Sequence, residues 1–255
     1  MMDTGYESFA QFYDRLTDNV DYDAIAQLIH SLVQQHADYK ESILDLACGT
    51  GSLCERLAKL DYYVVGVDNS PEMLEMAQQR LDGSELSVDL LLQDMTDFEL
   101  YGAADCTVCL LDSLNHLQDK QQLLKAFERV GMFTCDGGLF VFDLNTEYKH
   151  RKVLANNAFN FDKDDFFCAW QNELNDDGSV HIYLDFFKKQ QDGRYARYSD
   201  DFTEILFDDD FIEQQLASNG FELIGKYDDF SLEPVRPDSQ RVLWVCKKKT
   251  DNKGV

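Results

Sequence analysis

ILDLACGTG, residues 43–51, reads as a hydrophobic strand that ends on a carboxylate, Asp45, and runs directly into a small-residue turn. The segment behind it, SLCERLAKL at 52–60, is helix-forming. Strand, glycine turn and helix together make the layout of a nucleotide-type site. Gly49 and Gly51 have no Cβ, so they can take positive φ and let the backbone approach a ligand closely. The helix that follows points unsatisfied N–H groups into the turn. A tight strand-to-helix connection with no ligand would share this short pattern. The next strand adds weight to the first reading. Residues 61–67, DYYVVGV, lead into Asp68, where a carboxylate can take both hydroxyls of a ribose in doubly wound nucleotide-binding folds.

Spacing separates the two cofactor classes that share this plan. A dinucleotide turn requires G-x-G-x-x-G, whereas the same frame here holds Ala47, Gly49 and Ser52, with Gly51 one position early. The D-x-A-C-G-T-G run resembles instead the first motif of the class I S-adenosylmethionine (AdoMet) dependent methyltransferases, an acidic residue followed by x-G-x-G-x-G, with Ala47 in place of the first glycine. The resemblance covers residues 43–143 strongly and the remainder loosely. After Asp68 comes NSPEMLEMAQQRL, in which Ser70 is placed to cap a helix, Pro71 to open it and Glu72 to sit in its first turn. A third strand at 87–92 is followed by Gln93, Asp94 and Met95. A fourth at 106–111 runs into DSLNHL, and a fifth at 138–142 ends at Asp143.

The resemblance implies a role for each of these positions. Asp45 would orient the methionyl amine of the ligand, with Ala47, Gly49 and Gly51 passing beneath it. Asp68 and Asn69 would hold the ribose, and Asp94 with the Met95 backbone would fix the adenine. Asp112, Asn115 and His116 follow the fourth strand on the side where the reactive methyl points. Asp112 is expected near the cofactor, and His116 could serve as a general base because its ordinary pKa lies near 6.5. A histidine that merely opens a helix or faces solvent fits the same position, and Asn115 either meets the acceptor or ties down the loop.

Composition is consistent with this reading. A chain of 255 residues, 44% hydrophobic and 13% aromatic, can bury a sizeable core. No apolar run approaches membrane-spanning length and no signal peptide opens the chain, so a cytoplasmic enzyme without a membrane partner is expected. Seven cysteines, an odd number, favour reduced thiols. Cys106 and Cys109 form a C-x-x-C on one strand, where an odd separation sends the side chains to opposite faces, so no metal site is expected there. The formal charge of −25 argues against nucleic acid as a partner, since neutralising phosphates supplies most of such affinity.

Around the core, residues 1–40 read as an N-terminal helical segment. Tyr6, Phe9, Phe12, Tyr13 and Leu16 mark one apolar face, which either packs on the sheet or forms a lid that brings Tyr13 to the cofactor. Residues 41–150 form the AdoMet-binding core. Residues 151–207 hold an antiparallel insert of three strands, at 166–174, 179–189 and 195–207, joined by Asp177-Gly178 and Asp192-Gly193. Asp-Gly between strand-like runs signals a hairpin whose turn takes positive φ at both central positions. The insert is expected on the acceptor side, outside the cofactor site. Residues 208–248 supply a last helix and a closing hairpin, and 249–255 a tail. The expected fold is a doubly wound, Rossmann-like α/β sheet of seven strands in the order 3-2-1-4-5-7-6, with the lid and the insert attached. The expected function is transfer of a methyl group from S-adenosyl-L-methionine to a small-molecule acceptor, leaving S-adenosyl-L-homocysteine. Its rivals are an NAD(P)-dependent oxidoreductase using the same Asp68, and a non-catalytic AdoMet-binding or assembly protein. The oligomeric state is not legible.

Overall fold

A computed structural model describes residues 6–250, with the side chains of residues 6–9 and 11 outside that description; Tyr6 and Phe9 of the expected apolar face fall among these. The strands β1 (Ser42–Leu46), β2 (Tyr63–Asp68), β3 (Val88–Leu92), β4 (Ala104–Cys109) and β5 (Thr134–Asn145) are rich in β-branched residues and leucine, and most of their positions in the middle of the sheet are buried. Such runs suit a parallel sheet covered on both faces. With β10 (Phe221–Asp228) and β11 (Arg241–Lys248) they form one sheet, ordered β3-β2-β1-β4-β5-β11-β10. The first five strands are parallel, and β11 runs antiparallel to both of its neighbours. This is the expected order, 3-2-1-4-5-7-6.

Helices α2 (Tyr22–His36), α3 (Ser52–Ala58) and α4 (Pro71–Leu81) cover one face, while α5 (Lys120–Phe133) and α6 (Asp209–Ser218) cover the other. Their starts follow from sequence. Ser70 accepts the Met73 N–H ahead of Pro71, and Asp208 accepts the Phe211 N–H, each cap contributing about 1 kcal/mol. Cys106 and Cys109 lie on β4 in opposite core layers, as their spacing requires, and all seven cysteines are free thiols. None of the described helices is long and apolar enough to cross a membrane.

The insert is a separate meander of four strands, not three: β6 (Ala158–Asp162), β7 (Phe166–Leu174), β8 (Val180–Lys189) and β9 (Tyr195–Glu204). The extra strand, β6, is half exposed along its length and joins β7 through a turn of lysine and aspartates, so no Asp-Gly pair announces it. At the two Asp-Gly turns only the glycines, Gly178 and Gly193, have positive φ. The Gly178 N–H donates to the Asn175 carbonyl and the Gly193 N–H to that of Gln190, so each turn is the longer type with a glycine bulge.

Helix α1 (Tyr6–Leu16) packs on this insert. Phe12 is 2% exposed, stacks on Phe186 at 4.7 Å between ring centroids and meets Phe166 at 5.1 Å. The N-terminal helix is thereby held between the insert and the carboxyl ends of the core strands, in the position of a lid.

Candidate active site

Beyond the ends of β1, β2 and β3 lies a cavity of about 250 Å³ lined by Tyr13, Ala47, Gly49, Asp68, Asn69, Asp94, Met95 and His116, among others. A smaller lobe of about 30 Å³, lined by Asp45, Tyr22, Cys48 and Thr50, shares Tyr13, Ala47 and Leu111 with it. Tyr13 thus stands at the junction of the two lobes. A larger hollow of about 830 Å³ on the sheet, around Tyr63, Val65 and Leu91, holds almost none of these residues.

The turn after β1 is built on positive φ at Ala47 (57°), Gly49 (54°) and Gly51 (74°). For Ala47, which replaces the first glycine, that conformation costs about 1 kcal/mol. Gly51 does not meet the cavity. A Cβ there would stand 2.9 Å from the Ala77 Cβ, so this glycine permits close packing of α3 on α4. Asp68 closes β2 and lines the cavity. Its Oδ2 accepts the Gly49 N–H at 2.8 Å and its Oδ1 the Ser70 N–H at 2.9 Å, which aims the carboxylate while each oxygen keeps a lone pair for a ligand hydroxyl. Burial raises its pKa against the pull of those N–H groups. Asp94 is fixed in a similar way, its Oδ1 accepting both the N–H and the hydroxyl of Thr96 at 2.7 Å and leaving Oδ2 for a ligand.

Asp45 is 3% exposed and accepts the Cys54 thiol at 3.2 Å. Burial, opposed by that thiol and reinforced by the charge of Asp68, pushes its carboxyl up to about 7. Above the turn, Asp14 of α1 accepts the Thr50 hydroxyl at 2.5 Å and pairs with Arg80 of α4, whose Nε donates to the Thr50 carbonyl at 2.9 Å. Sequence reading missed this latch, because Asp14 and Arg80 are 66 positions apart.

The loop after β4 departs from expectation at two residues. Leu111 (φ 59°) and Asp112 (φ 54°) are both in the left-handed region. There the Asp112 N–H donates to Asp143 Oδ2 at 2.8 Å, while Arg241 reaches Asp112 at 2.6 Å and Asp143 at 2.9 Å. Asp112 is therefore engaged by a partly buried arginine and is not among the residues lining the cavity. Asn115 is fully buried. Its amide donates to the Ile205 carbonyl at 2.8 Å and accepts the Asn145 N–H at 3.0 Å, clasping β5 to the end of the insert. It has no face left for an acceptor, and the expectation that it acts in catalysis is corrected accordingly. His116 does line the cavity, half-buried, with its ring 4.6 Å from that of Phe202. Burial lowers its pKa; Asp112 works against that and Lys149 with it.

A family model described as a methyltransferase domain matches residues 43–132. A methyltransferase candidate from Geobacillus sp. (strain WCH70) is 32% identical over 245 residues, which is 95% of this chain and 99% of that protein. The dTDP-3-amino-3,6-dideoxy-alpha-D-glucopyranose N,N-dimethyltransferase of Streptomyces fradiae is 32% identical over 125 residues, 48% of this chain and 47% of its own. Among solved structures, an S-adenosylmethionine-dependent methyltransferase from Clostridium acetobutylicum ATCC 824 is similar with a TM-score of 0.87 and 32% identity, over 96% of this chain and 99% of that one.

Proposed function

The chain belongs to the class I AdoMet-dependent methyltransferases, and on that footing we propose that it methylates a small-molecule acceptor brought to the end of the cavity where His116 stands. The observation that carries this reading is that one cavity is lined by Asp68 and Asp94 and also by His116. AdoMet supplies a methyl group already activated on a sulfonium. The chain's own residues hold and align it. Asp68 takes the ribose hydroxyls, Asp94 and the Met95 backbone take the adenine edge, and Asp45 takes the methionyl amine. A carboxyl with a pKa near 7 gains most from such a cation, because an ammonium beside it restores the charged form that burial disfavours. Tyr13 closes over the junction of the two lobes and keeps water from the reacting carbon.

Alignment is the main contribution, since holding nucleophile and methyl group in attack geometry can remove about 7–11 kcal/mol of barrier. His116, kept neutral by burial, takes the nucleophile's proton. A small acceptor is supported by the excess of acidic charge, which suits nucleic acid poorly, and by the S. fradiae relative, whose name gives a dTDP-linked amino sugar. The test is methyl-labelled AdoMet incubated with the protein and a panel of small amines, alcohols, thiols and sugar nucleotides. Label on a small molecule, lost or much reduced in His116→Gln at unchanged S-adenosylhomocysteine affinity, is the expected result. Label carried only by added RNA or protein would overturn it.

A further inference from the structure

Around His116 lies a group of ionisable side chains drawn from five parts of the fold. Asp112 and His116 come from the loop after β4, Asp143 from β5, Lys149 and His150 from the π-helical segment Lys149–Leu154, Glu204 from the end of β9 in the insert, and Arg241 from the start of β11. Nitrogen or oxygen atoms of Asp112, His116 and Glu204 lie within 4.8 Å of one another. Glu204 is 3% exposed.

The charges in this group do not balance. Arg241 is bonded to Asp112 and Asp143 and stands 3.6 Å from Asp229. Lys149 donates to the Asn145 side-chain oxygen at 2.8 Å. The Asn145 amide in turn donates to Glu204 Oε2 at 2.7 Å, and a neutral amide supplies no charge. His150 does not supply one either. Its Nδ1 is 2.9 Å from the Gly178 carbonyl and therefore carries the proton, so in the neutral ring the Nε2 that faces Glu204 Oε2 at 3.7 Å is bare. Burial holds His150 below its ordinary pKa. Three carboxylates, of which Asp143 and Glu204 are buried, thus face two cations, and Glu204 is the one with no cation bonded to it.

We propose that Glu204 is a positioning residue for methyl transfer, standing as a carboxylate against the imidazolium that forms when His116 takes the acceptor's proton. This rests on the reading of His116 as the group that faces the acceptor. In the step, the acceptor's N–H or O–H bond breaks and its proton forms a bond to His116. The electron pair left on the nucleophile bonds to the methyl carbon, and the carbon–sulfur pair departs with sulfur as the neutral thioether. The positive charge of the sulfonium ends on His116, beside Glu204. Burial, with Asp112 adding to it and Lys149, Asn145 and Arg241 opposing, pushes the Glu204 carboxyl up to about 7, while His116 is held below its ordinary value. As the pH falls Glu204 therefore protonates first, and the pair is competent only above about 7. Because Glu204 belongs to the insert and Asn115 clasps the insert to β5, the pair is complete only when the insert is docked.

The test follows the histidine Cε1–H signals of the full chain, saturated with S-adenosylhomocysteine, from pH 5 to 9, with the His116 signal identified by its loss in His116→Gln. The expected trace has an inflection near pH 7, from Glu204, in addition to its own midpoint below 6.5. Glu204→Gln should erase the upper inflection and leave the lower midpoint in place, since Glu204 is already neutral where His116 titrates, with His30, His36, His181 and the ligand affinity unchanged and only His150, 3.7 Å from Glu204, also free to shift. A His116 trace identical in wild type and Glu204→Gln would overturn the pairing. Should that variant fail to fold, Glu204→Asp, which retracts the carboxylate by one methylene, serves in its place and should shift the inflection; an unmoved inflection overturns the pairing equally. If the coupling is present but His116→Gln transfers label as fast as wild type, it is the general-base reading that fails, and the proposal with it.

Discussion

Asp14 on the N-terminal helix and Arg80 on α4 form an ion pair directly above the glycine turn, and both also bond Thr50, one through its hydroxyl and the other through its carbonyl. The lid is therefore latched to the turn it covers. Both side chains are partly exposed, 31% and 24%, so the pair itself is worth about 1 kcal/mol or less. Its effect should show in kinetics more than in stability. Asp14→Asn or Arg80→Ala is expected to speed dissociation of S-adenosylhomocysteine severalfold, read by stopped flow, while the melting temperature moves by only a few degrees. An unchanged off-rate would mean that the helix does not gate the cavity.

If Asp45 takes the methionyl amine as proposed, cofactor affinity should depend on pH. Its carboxyl is pushed from the usual carboxylate range up to about 7, so in the empty protein the ionised form is the disfavoured one. The sign follows from this. Below the unfolded pKa there is no cost, and as pH rises from there toward 7 the folded state loses roughly 1.4 kcal/mol of stability for each pH unit, a loss that is complete once Asp45 has ionised. A ligand ammonium reverses that loss. Calorimetry should show S-adenosylhomocysteine affinity rising with pH up to about 7 and levelling off, with proton release below that point. Asp45→Asn should be the more stable protein at pH 8 when empty, and should bind the ligand weakly with little pH dependence between 5.5 and 7.5. A variant as pH-dependent as wild type would place the titrating group elsewhere.

The insert holds the cavity-lining end of α1 through Phe12. That ring is held between Phe166 and Phe186, and it lies one residue before Tyr13, which lines the cavity. Phe12→Ala removes a buried aromatic, a change that costs about 3–5 kcal/mol where the surroundings cannot collapse. Much of that loss should appear as release of α1, so S-adenosylhomocysteine should bind at least tenfold more weakly while the core sheet keeps its hydrogen-exchange protection. Replacing residues 162–199 by a short linker should weaken the ligand in the same way, although the sequence alone suggests an insert that lies outside the cofactor site. Full affinity in a folded protein lacking the insert would show that the helix needs no such support.

What can be read from the sequence is whatever local order determines. Asp68 and Gly49 are legible because each sits at the end of a strand or in its turn, and chain direction alone brings them together at the carboxyl edge of a parallel sheet. Ser70 and Asp208 cap their helices for the same reason. The failures have a common cause in long-range pairing. Asp112 reads as a ligand contact until its partner appears on β11, 129 positions later, and Asn115 is committed to Ile205, 90 positions away. Glu204 escapes notice because nothing near it in sequence marks it as buried, since β9 alternates exposed and half-buried positions up to that residue. Gly51 misleads for a subtler reason. Its positive φ follows from the turn, but the close contact that requires a glycine is with Ala77 of another helix, which no local pattern signals.

The placement of the adenine decides whether the whole cavity has been assigned the right way round. Asp94 has Oδ1 committed to Thr96, and on the proposed reading its Oδ2 accepts the exocyclic amine; a site built for a donor rejects an analogue that lacks it. Calorimetry comparing S-adenosylhomocysteine with S-inosylhomocysteine, which carries a carbonyl in place of that amine, tests this directly. Wild-type protein should bind the inosyl ligand at least roughly tenfold more weakly, in line with losing a charged hydrogen bond, and Asp94→Asn should narrow the gap because its amide can donate. Equal affinity of the wild type for the two ligands would remove Asp94 from the site and contradict the orientation proposed for the cofactor.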